Sequence, residues 1–449
     1  MRTTTNELAR LTILALALAT PACGGGSVGD EGADSDSSGE TTDNPTSTTA
    51  PTSATMTDAT TNDTTASTTM TTMSTDPDTT DTDPSTTEPG GCPQDIDFGA
   101  PDLAGCTPLA SDFTPDSSAA YPACVADGGE WVLVDEPPGS AARVEAYEDM
   151  IELLRNGATP SADDFTTARA IYATDNGLES RVLRREDTHY PPIPAAEQDP
   201  GVAFDRQCSV ADNATNYPDR CVGPARIQPI VDEAFVAGMT GDGDANVHAA
   251  RIDAAVQWFL WISIYKEAAS CILAPGDCDS TWAYYNGGTE QGAGIGVSAN
   301  LREIDPAIDD AIFNGMLAIR CWRDLFPADG DPAFEDLGDA GEAMFYEAHE
   351  QLDNASWYGW ARLVRAHLER QPAVCDSEAD ANWAFIQVAG PVLDPEAAVR
   401  DEAAAATLTS LWANDAPSVD DLTGGIAALD AAFGCPQCES CDVSQEWGY

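Results

Sequence analysis

Residues 248–271 read HAARIDAAVQWFLWISIYKEAASC, and this stretch decides the fold. Apolar side chains run almost without a break from Val256 to Tyr265, and they cover nearly the whole circumference of a helix. A helix that is apolar all round is stable only at the centre of a packed body. We therefore predict a buried core helix that ends at about Ser270.

Several polar residues interrupt this helix. Asp253 and Gln257 share one face, one turn apart. A buried Asp253 requires a partner, because an unpaired buried charge is costly. The partner could be Arg251, another arginine or a metal ion, and structural pairing is favoured. Lys266 and Glu267 are predicted to lie where the helix meets water.

The remaining chain beyond residue 140 carries further helix signals and almost no two-residue strand pattern. Asp244 or Asn246 can cap the core helix. The other helices are predicted at 140–156, from Ser161 to about Asn176, after Asp305-Pro306, over 339–370 as one helix or two, from Asp394-Pro395 to about Asn414, and from Ser418 to Gly434. The predicted fold class is mainly α, a multi-helix, bundle-like single domain over 140–434 with loops tied by disulfides.

The ends of the chain differ from this body. Residues 1–22 resemble a signal peptide, and Cys23 with the glycines behind it resembles a lipoprotein processing site, although cleavage without lipidation is the alternative. From Cys23 to residue 91 the chain is a Thr/Ser/Asp/Pro tether that should stay disordered. Residues 92–139 are a Cys/Pro/Gly-rich segment, with room for one short strand, and 435–449 are a Cys-rich tail. These features predict secretion across the inner membrane and a lipid anchor at the outer membrane or cell surface.

The strongly negative charge of the chain limits the kinds of molecule that it is expected to bind. The chain has 76 acidic and 20 basic residues, which give a net charge of −56. Phosphate backbones require basic patches, so nucleic acid is an improbable partner on this count. We predict no nucleic-acid partner, and contact with a membrane through the lipid anchor only.

The chain contains 13 cysteines, and 12 remain if Cys23 carries lipid. An even number in a secreted chain predicts up to six disulfides. Proximity in the sequence suggests the pairs Cys208–Cys221 and Cys271–Cys278. A thiolate metal site formed by Cys435, Cys438 and Cys441 is the alternative.

One helix presents a candidate metal site. Glu342, Tyr346, His349 and Asp353 fall within an arc of roughly 60° at 100° per residue. Carboxylate, phenol and imidazole groups suit iron or manganese. Other helices would have to complete the site, and Asp253 is the next candidate ligand. A solvated polar face is the alternative.

A second pattern resembles a calcium-binding loop. Asp242, Asp244 and Asn246 have the oxygen spacing of such a loop, and Asp253 stands at its twelfth position. Val247 occupies the sixth position, where the turn requires glycine. Helix capping by the same residues is the alternative to calcium.

Three stretches resemble algal low-iron-inducible periplasmic iron-assimilation proteins. They are TARAIYATDNG at 167–177, WAYYNGG at 282–288, and ANWAF at 381–385 with the following Asp394-Pro395. The resemblance covers about residues 140–434 and implies a helical secreted domain linked to iron acquisition. Imelysin-like proteins are a second comparison, but Leu352 stands where their GxHxxE signature has its glutamate.

Three function classes follow. The leading hypothesis is a membrane-anchored protein that binds a metal ion, iron above all, for acquisition and without turnover. The alternative is a structural or adhesive surface lipoprotein without a metal. The third class is an enzyme of unrecognised type. It has no positive support in the sequence, which contains no GxSxG, HExxH, GxxxxGK[ST] or strand-linked GxGxxG motif.

Overall fold

The structure is a computed structural model that describes residues 94–104, 106, 130–133, 138–174, 177–271, 274–324 and 334–435. The predictions about the signal peptide, Cys23, the tether and the cysteines at 92, 124, 438 and 441 lie outside these ranges.

Fourteen α-helices occupy the described ranges, which contain no β-strand. The helices are α1 (Gly139–Leu154), α2 (Ala162–Thr174), α3 (Leu178–Val182), α4 (Ala211–Asn216), α5 (Gln228–Thr240), α6 (Ala245–Ser270), α7 (Pro275–Asn286), α8 (Val297–Ile304), α9 (Pro306–Asp324), α10 (Phe334–Arg370), α11 (Asp376–Ala389), α12 (Asp394–Arg400), α13 (Glu402–Trp412) and α14 (Val419–Phe433). A π-helical turn (Gly223–Ile227) and three 3-10 turns (Phe204–Ser209, Gln371–Ala373 and Gly390–Leu393) complete the described elements. The mainly α prediction is confirmed.

Helix α6 is the centre of the body. Every residue from Ile252 to Tyr265 is buried, and α5, α7 and α11 pack around the helix. The indole N–H of Trp261 donates to the carbonyl of Ser356 in α10 at 3.1 Å. The predicted core helix is therefore confirmed, and its apolar surface is covered from several directions.

Helices α9 and α10 form a second close pair. A Cβ atom on Gly315 of α9 would lie 2.8 Å from Cα of Leu352 in α10, nearer than real Cβ atoms approach. The two backbones can be this close only because residue 315 has no side chain. The 339–370 segment is one helix, and it begins at Phe334. Within the described ranges no helix has both the length and the apolar character needed to cross a bilayer.

Side-chain caps at three predicted positions are confirmed, whereas Asp394 is the first residue of α12 and that helix has no side-chain cap. Asp244 caps α6 by accepting from the amide of Asn246 at 2.8 Å. Ser161 and Ser418 each begin a reciprocal capping box with the aspartate three residues later. These side chains satisfy amide groups that a helix start leaves without partners.

The prediction of a single helix after Asp394 was wrong. The alanine-rich segment after Asp394 is two helices, because Asp401 is extended and its carboxylate accepts from the amides of Ala403 and Ala404 to begin α13. Residues 130–133, the described part of the segment where the sequence left room for one short strand, are not in a strand.

The carboxyl end of α6 differs from the prediction of a solvated end. Glu267 is buried, and its carboxylate accepts from Arg185 at 2.8 Å and from Lys266 at 3.2 Å. Arg185 also donates to the hydroxyl of Tyr284 in α7 at 3.2 Å. The charged end of α6 is thus an internal ion-pair cluster, held because α7 and the segment after α3 cover it.

The described disulfides are Cys106–Cys435, Cys208–Cys221 and Cys271–Cys278. The two pairs suggested by sequence proximity are confirmed. Because Cys435 is bonded to Cys106, it has no thiolate to give to the alternative metal site. That bridge links the segment before α1 to the end of α14.

Replacing Glu267 with glutamine should destabilise the protein by about 3 kcal/mol at pH 7, because it leaves the buried Arg185 and the partly buried Lys266 without their carboxylate. Burial works against the charge of Glu267, but Lys266 and Arg185 outweigh it and lower its pKa to about 2. The stabilisation is therefore present above the unfolded pKa of about 4.5 and is lost as pH falls toward 2.

Urea unfolding of Glu267→Gln from pH 3 to pH 8 tests this, with exposed Glu233→Gln on α5 as the matched control. If Glu267→Gln lowers the free energy of unfolding by the same amount at pH 3 and pH 7, the ion-pair explanation is contradicted.

Candidate functional site

A cleft of about 250 Å³ opens beside the carboxyl half of α6. Its walls combine aromatic rings, prolines and valines with a small group of charged residues. The lining includes Asp187, His189, Tyr190, Asp219, Arg226, Trp258, Tyr265, Asp353, Trp357, Glu396 and Val399. An apolar concavity with a few convergent polar groups is the form that small-molecule sites usually take.

The segment that carries His189 is irregular but firmly held. The buried Arg220 guanidinium donates to the carbonyl of Tyr190 at 2.6 Å and pairs with Glu186 at 2.7 Å. The carbonyl of Arg220 accepts from the amide of Asp187 at 2.7 Å. The Cys208–Cys221 bridge lies next to Arg220 in the chain. These contacts fix a loop that has no helix or strand of its own.

His189 is held at both ring nitrogens. Its Nδ1 lies 2.6 Å from Oδ1 of Asp187, and its Nε2 lies 3.1 Å from Oδ1 of Asp353. The same Asp187 oxygen accepts from the His189 amide at 3.0 Å. Asp187 therefore sets the position of the ring locally, while Asp353 brings in helix α10 from 164 residues away.

The two carboxylates keep His189 charged. Burial favours the neutral ring, but Asp187 and Asp353 outweigh burial and raise the pKa of His189 to about 10. At neutral pH the residue is an imidazolium that donates to a carboxylate on each side. It is therefore not disposed to take a proton from a substrate.

Aromatic rings surround this imidazolium. The Tyr265 ring stacks on it with centroids 3.7 Å apart and 11° between the planes. Trp357 lies at 4.9 Å and Trp261 at 5.8 Å. The cation is thereby stabilised by ring faces as well as by carboxylates.

Glu396 adds a further carboxylate from α12. It pairs with Arg400 at 2.6 Å, and Arg400 also donates to the side-chain carbonyl of Asn354 at 3.0 Å. Burial raises the pKa of Glu396, Arg400 opposes that shift, and the nearby Asp353 adds to it. Asp219 and Arg226 form a more exposed ion pair in the same lining.

The structure separates the two predicted aspartate ligands. Asp353 lies in the cleft, bonded to His189. Asp253 is buried elsewhere and accepts from Tyr147 at 2.8 Å, from Arg155 at 2.8 Å and from Gln257 at 2.7 Å. Its partner is therefore an arginine, as the structural-pairing interpretation favoured, but Arg155 and not Arg251.

Tyr346 and His349, two of the other predicted ligands, do not line the cleft. Tyr346 is exposed, while His349 is buried against the Phe345 ring at 4.5 Å. Burial lowers the pKa of His349 to about 3. Glu342 lies in α10, and its side chain is outside the described part of the structure. Within that part, no three His, Cys, Asp or Glu side chains converge on a point that would hold a metal ion.

The calcium-loop residues have internal partners. Asp244 caps α6, and the carbonyl of Asp242 lies 2.7 Å from Nε2 of His248. Asp253 is bonded to Tyr147 and Arg155, as described above. The capping interpretation accounts for these contacts, and calcium binding stays a prediction.

Sequence reasoning did not identify His189, Asp187 or Glu396. The local signal was the Asp-Thr-His spacing of 187–189, in which the aspartate can accept from the amide two residues later. Nothing in the sequence pairs that segment with Asp353 or with α12.

Comparisons of the chain with protein-family models, curated protein sequences and solved structures find no match. The resemblance to low-iron-inducible proteins and the binding of iron therefore remain predictions.

Replacing His189 with glutamine should lower the free energy of unfolding by on the order of 3 kcal/mol near pH 6. The folded pKa of about 10 lies above the unfolded value of 6.5. The stabilisation is thus complete below pH 6.5 and is lost as pH rises toward 10, so the gap between wild type and His189→Gln should close over that range.

Chemical denaturation between pH 6 and pH 10 measures the gap. His367→Gln is the matched control, because burial lowers the pKa of His367 to about 4 and its titration falls below this range. A gap that stays constant from pH 6 to pH 10 would show that His189 is not held protonated.

Proposed function

We propose that this protein is a surface-tethered binding protein that captures a small organic molecule in the His189 cleft without chemical turnover. The observation that carries the proposal is the fixed ring of His189, held between Asp187 and Asp353 inside an aromatic-walled cleft of about 250 Å³. A concave site with a strongly shifted titratable group is a favoured location for ligand binding.

The geometry favours binding over catalysis. A general base should be largely deprotonated near its working pH and needs a free nitrogen. His189 has a pKa of about 10 and both ring nitrogens face carboxylates. His189 and its two aspartates therefore form a rigid polar surface in the cleft, which orients a ligand by hydrogen bonds and charge.

The structure is suited to a preformed site. Arg220 holds the His189 loop, Trp261 ties α6 to α10, and the Cys208–Cys221 bridge closes the adjoining segment. Rigid surroundings reduce the entropy lost on binding. The predicted lipid anchor and acidic tether would hold this body away from the membrane, where solutes can reach the cleft.

A bulky residue at the edge of the cleft should abolish capture. Val399 lines the cleft and is 57% exposed, so Val399→Trp should place an indole at the opening without disturbing the core. Val236→Trp on α5 is the matched control, since Val236 is equally exposed and does not line the cleft.

The measurement is affinity selection of a mixed small-molecule library with the purified protein, read by mass spectrometry. We expect at least one compound to be retained by wild type and Val236→Trp but not by Val399→Trp. Retention of no compound, or equal retention by all three proteins, would contradict the proposal.

The same preparations should be titrated with iron(II), iron(III), manganese and calcium and analysed for bound metal. Stoichiometric iron that persists in Val399→Trp and is lost in His349→Ala would overturn the cleft proposal in favour of the predicted metal site.

A further inference from the structure

The charges of the cleft are not balanced. Four carboxylates line it, those of Asp187, Asp219, Asp353 and Glu396, against the two cations His189 and Arg226. Arg400 compensates for one of the carboxylates from outside the lining. One negative charge therefore remains without a counter-charge among these residues.

Acceptor atoms are also left over. Asp187, Asp353 and Glu396 each accept the hydrogen bonds described above through a single oxygen, Oδ1, Oδ1 and Oε1 respectively. The second oxygen of each has no hydrogen-bond donor in the described part of the chain. A ligand that brings N–H donors would supply what these oxygens lack.

The walls favour the same kind of ligand. Trp258, Trp357, Tyr190 and Tyr265 line the cleft, and aromatic faces attract organic cations. A bare metal ion would gain nothing from these rings or from the neighbouring prolines. A carboxylate or phosphate ligand would meet the excess negative charge of the lining.

We propose that the cleft selects a small organic ammonium ion, with its charged nitrogen toward Asp353 and Glu396 and its apolar body against the rings. This inference rests on the proposed function, because it names the ligand class of the same cleft. The net charge of −56 further supports it, since a strongly acidic protein raises the local concentration of cations.

Calorimetric titration at pH 7 with probes of matched shape tests the inference. Benzylammonium and tetramethylammonium are the cationic probes, benzyl alcohol is the neutral counterpart, and benzoate is the anion. We expect benzylammonium to bind at least about tenfold more tightly than benzyl alcohol, and benzoate not to bind. Equal affinity for the amine and the alcohol, binding of benzoate in preference, or binding of neither ammonium would overturn the inference.

Charge-removing variants identify which carboxylate contributes to the affinity for benzylammonium. Glu396→Gln should weaken benzylammonium binding by about tenfold and leave benzyl alcohol unchanged, because it removes charge but little volume. Glu402→Gln, exposed at the start of α13, is the matched control and should bind as wild type. Benzylammonium affinity unchanged in Glu396→Gln would overturn the assigned position of the nitrogen.

The two proposals fail in different ways. A neutral or anionic organic ligand that is lost in Val399→Trp would end the ammonium inference and leave the binding function in place. The absence of any ligand sensitive to Val399→Trp would end both.

Discussion

Helix α6 is apolar on nearly every side, and the arrangement of the body follows from the need to cover it. A half-buried helix can be completed by one neighbour, whereas this one requires packing from several directions. Helices α5, α7 and α11 supply most of that packing, and α10 closes a further side through Trp357 and Trp360 beside Trp261. The cleft forms where this cover meets the loop after α3.

Burial on this scale imposes a second constraint, on charge. A chain with 76 acids and 20 bases has few cations to place beside buried carboxylates. Several of them are used inside the body: Arg155 beside Asp253, Arg185 and Lys266 beside Glu267, and Arg365 beside Asp430. The surface keeps the acidic excess, while the buried carboxylates of Asp253 and Glu267 and the partly exposed one of Asp430 each have a cation beside them.

The cleft follows the same rule with one difference. His189 serves as the internal cation for Asp187 and Asp353. Glu396 adds a further carboxylate, and Arg400 forms an ion pair with only one of its oxygens. Aromatic rings and prolines line the same cleft as these carboxylates. A site that is rigid, slightly anionic and aromatic is suited to recognition, and the proposed ligand class is the one that these features share.

Local sequence by itself determined the helical class, the core helix, most caps and two of the disulfides, because hydrophobic period, capping side chains and short cysteine spacing act over a few residues. Pairings between distant segments were decided only by the tertiary structure. Asp353 stands on a polar stripe of α10 that favoured a metal site, yet its partner is His189, 164 residues earlier. Glu267 stands at a helix end that predicted water, yet Arg185 covers it. Which charged groups meet depends on how helices pack, and no local pattern records that.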